Sequence, residues 1–201
     1  MTQALKIVYN VDAISHPLTG IGRYTQQLGL QLQQHAAVHD LKLYSGGRWP
    51  DDFDSLPTAN QWLARARRYV PFKSLALRLY HARRSRGLKH MPAHLKAYLF
   101  HSPNFILMPF DGPAVTTIHD LSFIHYRHTQ PVYRLRFLDR ELPKTLAQAR
   151  HIITVSESIK SELISTFDLP EQQISVTHLG VDQRFKPLPE SDCREVLTAF
   201  N

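Results

Sequence analysis

Ala114-Val-Thr-Thr-Ile-His-Asp-Leu-Ser-Phe123 sets five apolar or β-branched residues directly before a His-Asp pair and then turns polar. A strand covered on both faces of a sheet reads as such an unbroken run. Residues 114–118 are therefore expected to form a buried strand, with His119 and Asp120 just past its carboxyl end. Ligands of open α/β sheets bind at that edge, so this pair is the first place to look for chemistry.

Working outward, Ala97-Tyr-Leu-Phe-His-Ser-Pro103 predicts a second strand that runs into a loop and leaves His101 and Ser102 at its end. Pro103, Pro109 and Pro113 keep the stretch between the two strands irregular. On the other side, Val132, Leu135, Leu138, Leu142, Leu146 and Ala149 recur at helical spacing after Pro131, and Pro143 predicts a kink or break. Ile152–Val155 and Ile174–Val176 read as further short strands. Between them Ser156 is placed to cap a helix that carries Ile159, Leu163, Ile164 and Phe167 inward, with Glu157 near its positive end. At the start of the chain, Leu5–Val11 reads as a strand with Asp12 at its end, and a helix follows Thr19-Gly-Ile-Gly-Arg-Tyr-Thr25 as far as Gln34. Leu41–Ser45 predicts the next strand. Strands alternating with helices imply a doubly wound, mostly parallel Rossmann-like sheet.

Gly20 and Gly22 before a helix allow a ligand close approach to the backbone, where free N–H groups favour anions. They do not make a dinucleotide site. The glycines stand well beyond the end of the first strand, and no acidic residue closes the strand at Leu41–Ser45 to hold a ribose.

The net charge of +7 has one source, since ten of the 24 basic residues and no acidic one lie between Asp54 and Asp111. Arg78, Arg83, Arg84, Arg86 and Lys89 cluster there, and Trp62, Tyr69, Phe72, Leu75, Leu79 and Tyr80 interleave with the cations across residues 60–96. Such a surface suits anionic lipid headgroups, at about 1 kcal/mol per well-placed cation. A solvated helical face is the plainer reading, and nucleic acid a third and weaker one. Lone Cys193 excludes an internal disulfide. No run approaches the roughly 18 apolar residues that span a bilayer, and no leader opens the chain, so a cytoplasmic protein, peripheral at most on the membrane's inner face, is expected. The pairs His35/His39 and His90/His94 have helical i,i+4 spacing but no third ligand, so no metal is expected.

Thr19-Gly-Ile-Gly-Arg-Tyr24, the strand ending in His119-Asp120-Leu-Ser-Phe123, Val155-Ser-Glu-Ser-Ile-Lys-Ser-Glu-Leu163 and Gly180-Val-Asp182 with Phe185 and Pro187 resemble, in this order, the amino-terminal half of family 4 retaining glycosyltransferases. The resemblance runs over about residues 5 to 190 and is weakest in the basic segment. It implies the first half of a GT-B fold, with residues 1–180 as the acceptor-side domain and 181–201 as the hinge and the first helix of a donor-binding partner domain. The family's paired glutamates and the cations that hold the donor have no counterpart in these 201 residues, so the chain alone is expected not to catalyse transfer. Ile159 stands where the family usually has Ser or Thr.

Carried over residue by residue, the resemblance makes His119 the catalytic candidate, facing the acceptor or the transferred sugar. Gly20, Gly22 and Arg23 would meet substrate, and Asp120 would orient His119 or cap the next helix. The expected donor is a nucleotide-sugar, with no cofactor, and the acceptor a lipid-linked or cell-surface glycan receiving a hexose such as mannose. The competing expectation is a non-catalytic Rossmann-like module that binds membrane or polyanion through its basic 60–96 segment.

Overall fold

The computed structural model describes residues 4–56, 73–182 and 184–198. Much of the amino-terminal part of the basic segment, including Trp62, Tyr69 and Phe72, lies outside the described residues.

Six strands form one all-parallel sheet in the order β2-β1-β3-β4-β5-β6. They are β1 Leu5–Asn10, β2 Val38–Tyr44, β3 Leu99–Ser102, β4 Ala114–Ile118, β5 His151–Thr154 and β6 Ile174–Val176. The helices are α1 Gly20–Gln34, α2 Lys73–Lys89, the single turn α3 Ser122–His125, α4 Val132–Gln148, α5 Glu157–Phe167 and α6 Glu190–Thr198. The second strand begins earlier than the sequence suggests, at Val38, because its register against β1 starts with Leu5 beside Val38. His39 therefore sits in a strand and His35 caps α1, so their helical spacing is not realised. Pro143 does not break α4, which runs through it.

Local chemistry starts the helices where the residues suggest. Thr19 Oγ1 accepts the Gly22 N–H at 3.1 Å, and Ser156 Oγ accepts that of Ile159 at 3.3 Å. Each cap satisfies a donor that the first helical turn leaves free, worth about 1 kcal/mol. Asp168 ends α5 in the left-handed region, at φ 52°.

Alternation along the strands decides which helix covers which face. Val8, Phe100, Ile118, Ile152 and Ile174 point to one side, where Leu88 of α2, Leu135, Leu138 and Leu142 of α4 and Leu163 of α5 close over them. On the other side Ile7, Tyr9 and Leu43 meet α1 through Leu28 and Leu32. Helix α1 covers only the β2–β1 half of that side. Beyond it Leu5, Leu99, Val115 and Ile153 line a groove of about 850 Å3, walled by α1 on one flank and by residues 177–182 on the other.

Candidate functional site

In the β2-β1-β3 order the chain moves outward from β1 to β2 and then crosses to the far side of β1. Loops leaving β1 and β3 at this switch point diverge, and the gap between them is where such sheets bind ligands. The residues at this edge come from α1, β1, β3 and β4.

Buried hydroxyls and an amide fix the edge. Asn10 Nδ2 donates to Ser102 Oγ at 3.3 Å, Ser102 Oγ to the Ile106 carbonyl at 2.9 Å, and Thr116 Oγ1 to the Phe105 carbonyl at 3.0 Å. They hold the proline-rich loop after β3 against the strand ends. Phe105 there has φ 47°, uncommon for a bulky residue, and its N–H is tied to the Thr117 carbonyl at 3.0 Å.

His119 follows β4 and lies under this loop. Its Nε2 is 2.9 Å from the Pro103 carbonyl. A carbonyl only accepts, so Nε2 carries the proton and Nδ1 of the neutral ring keeps its lone pair. Burial pushes the imidazole below its ordinary value, against opposing effects of the Pro103 bond and the Asp120 charge. His119 is thus a neutral ring with one nitrogen spoken for and a second able to accept a hydrogen bond. Tyr24 of α1 packs against it with ring centroids 4.8 Å apart and planes at 86°, and Phe105 lies at 6.1 Å.

The other sequence candidates separate. Asp120 Oδ1 accepts the Ser122 N–H at 2.9 Å, so its carboxylate starts the turn of α3. Gly20 is exposed, and a Cβ there would meet nothing within 4 Å. Gly22 is buried, and its Cβ would lie 2.8 Å from the Ala13 carbonyl. Its missing side chain serves the packing of α1 against the loop after β1, a different reason from ligand approach. Arg23 is exposed beside Asp182, whose carboxyl is held below the usual range by the Arg184 backbone N–H and by the charges of Arg184 and Arg23. Arg23, Gly20 and residues 177–182 line the same groove.

Two features escaped the sequence. His101 is buried at the end of β3, with Nε2 3.0 Å from Thr117 Oγ1 and its ring 5.4 Å from that of Tyr9. Burial drives it down to about 4, with a smaller contribution from the neighbouring His119. Its strand-end position was the one signal available. The second is a correction. Arg84 is not on a lipid-facing surface: it is 7% exposed, its guanidinium Nη2 meets Asp12 Oδ2, and Tyr44 Oη donates to its carbonyl. A cation answered by a buried carboxylate has no charge to offer a headgroup. Arg83, Arg86 and Lys89 are exposed, as are Leu79 and Tyr80, while the side chain of Arg78 is outside what is described. Among the described residues no three His, Cys, Asp or Glu side chains gather as a metal site, and no helix is long and apolar enough to cross a membrane.

A single parallel sheet with its loops gathered at the β1/β3 crossover defines a Rossmann-like domain, the first half of a GT-B arrangement. The chain belongs to Glycosyltransferase Family 4, whose pattern matches residues 18–185. It is 32% identical over 203 aligned positions to the O-antigen chain mannosyltransferase B of Escherichia coli. That alignment takes in 98% of this chain and 52% of the relative, so the chain spans about half the relative's length.

Proposed function

We propose that this chain is the acceptor-binding half of a retaining glycosyltransferase that moves mannose from a nucleotide-sugar to a lipid-linked or cell-surface glycan. The observation that carries the reading is His119, neutral, desolvated and oriented by Pro103 at the carboxyl edge of the sheet. In this role Nδ1 accepts a hydrogen bond from a hydroxyl of the acceptor or of the transferred sugar and fixes its approach. Gly20 leaves backbone open to the same substrate, and Arg23 supplies a cation at the helix start. Retaining transfer also requires stabilisation of an oxocarbenium-like centre and a departing diphosphate. Groups for that would come from a donor-binding partner domain.

The test is a chimera in which these 201 residues replace the matching half of the Escherichia coli relative. Transfer from nucleotide-activated mannose is expected from the chimera and not from the chain alone. His119→Ala in the chimera is expected to lower kcat at least tenfold, about 1.4 kcal/mol, with folding retained. A folded chimera inactive with every nucleotide-sugar tried would remove the acceptor-half reading, and unchanged kcat in the variant would remove His119 from it.

The exposed face of α2 favours a second property of the same protein, peripheral attachment to the inner face of the membrane. Arg83, Arg86 and Lys89 lie there with Leu79, 63% exposed, and Tyr80, 38% exposed. Binding to anionic vesicles is expected to fall steeply with salt and to weaken by about two orders of magnitude when the three cations are neutralised together, at roughly 1 kcal/mol each. Equal binding to neutral vesicles in a flotation assay would show that the cations are not what attaches it.

A further inference from the structure

The geometry points to Tyr24 as the positioning residue for His119, itself held by a closed circuit of side chains from α1, β1, β3 and β4. The circuit starts at Tyr9 of β1, whose hydroxyl donates to the Thr25 carbonyl of α1 at 2.9 Å. Tyr9 packs edge-on against His101 of β3 at 5.4 Å, and His101 Nε2 lies 3.0 Å from Thr117 Oγ1 of β4. Thr117 Oγ1 in turn stands 3.5 Å from the hydroxyl of Tyr24, the residue next to Thr25.

Each member constrains the next. Tyr9, His101 and Thr117 are buried, and fully buried groups in hydrogen bonds and edge contacts have few alternative rotamers. Tyr24 is half-buried and forms one wall of the His119 site, while Pro103 and Phe105 form others. A ring held at 86° to the imidazole blocks rotation about its χ2 and keeps water from that side. It also links two parts of the site, because Tyr24 is one turn along α1 from Gly20. A ligand that moves the start of α1 would therefore move a wall of the His119 pocket. The groups whose charge or proton bears on His119 are Asp120 beside it, His101 from β3 and Tyr24 from α1. Burial raises Tyr24 above its ordinary value, so it remains a neutral phenol and acts by position and not by charge.

This inference rests on the reading of His119 as a substrate-facing group, and its test is built to fail separately. Long-range 1H–15N NMR of the 201-residue chain reads tautomer and titration of each imidazole, with His119→Gln assigning the signal. Wild type is expected to show His119 protonated on Nε2, with a midpoint below the ordinary 6.5. Tyr24→Ala should raise that midpoint toward 6.5 and mix the tautomers, and Tyr24→Phe, which keeps the ring, should restore the wild-type pattern. Tyr24→Leu fills the space without a ring and carries the alanine expectation should the alanine variant not fold. An unchanged His119 signal in folded Tyr24→Ala or Tyr24→Leu overturns the inference. In the chimera, Tyr24→Leu should lower kcat about tenfold with KM within about twofold, whereas a merely structural Tyr24 would leave both near wild type in the folded fraction. Activity insensitive to His119→Ala would sink the catalytic reading while leaving the NMR result standing.

Discussion

Replacing Arg84 with alanine is expected to destabilise the chain by about 3–5 kcal/mol, the usual cost of leaving one member of a buried ion pair uncompensated. The side chains of Arg84 and Asp12 are only 9% and 10% exposed. The Asp12 carboxylate also accepts from the Gly46 N–H at 2.7 Å and from Ser45 Oγ at 3.1 Å. Those two neutral donors do not offset the loss of a cation in a site shielded from water. Helix α2 would suffer as well, since its Arg84 ties it to the loops at the carboxyl ends of β1 and β2, and Arg83 Nε adds a bond to the Gly46 carbonyl at 3.1 Å. Urea denaturation at pH 7 measures the effect, with Arg83→Ala as the exposed neighbour. The double variant Asp12→Ala/Arg84→Met should recover part of the stability, because an apolar pair removes the stranded charge. Equal small losses in Arg84→Ala and Arg83→Ala would mean that the ion pair does not anchor α2.

That pair also shows where the sequence stops being informative. The strands were legible because a buried parallel strand announces itself as a run of β-branched and apolar residues, as at Ala114–Ile118 and Ile174–Val176. The helix starts were legible because Thr19 and Ser156 cap within three residues of themselves. Local signals of this kind act at short range. Arg84 looked like its neighbours because ten cations without an acid read as a surface for anionic headgroups or as a solvated face, and its partner Asp12 lies 72 positions away, at the end of β1. The one-turn helix α3 is too short to show periodicity, and the sequence left Asp120, the side chain that starts it, open between orienting His119 and capping the next helix. His119 was found as a strand-end histidine. Its tautomer depends on a carbonyl 16 residues earlier, and its wall on Tyr24 from the other end of the domain. Nor could alternation reveal the groove on the α1 side of the sheet, since Leu5, Leu99, Val115 and Ile153 are as apolar as the residues facing α4 and α5.

Lowering the pH from 7 to 4.5 is expected to remove about 2–3 kcal/mol of stability through His101 alone. His101 is neutral and buried in the fold, where its value drops from 6.5 to about 4. The unfolded chain takes up a proton near 6.5 and the folded chain does not until about 4, so between those values the unfolded state binds more protons and stability falls with pH. The loss begins just above 6.5 and levels off below 4. His119, also lowered by burial, acts in the same direction. The pairs Arg127–Asp139 and Lys144–Glu141 depend on carboxylates held below their ordinary values and sit on the surface, so they weaken at lower pH and contribute little. His101→Gln keeps a polar group near Thr117 but cannot take up the proton. Its absolute stability at pH 7 will be lower than wild type, so the informative quantity is the difference between pH 7 and 4.5 within each protein. Urea midpoints at both pH values should show that difference shrinking by about 2 kcal/mol in His101→Gln. An equal difference in the two proteins would mean that His101 titrates in the fold as it does in the unfolded chain, and with it would go the desolvated, neutral His101–Thr117 contact from which the wall of the His119 site is built.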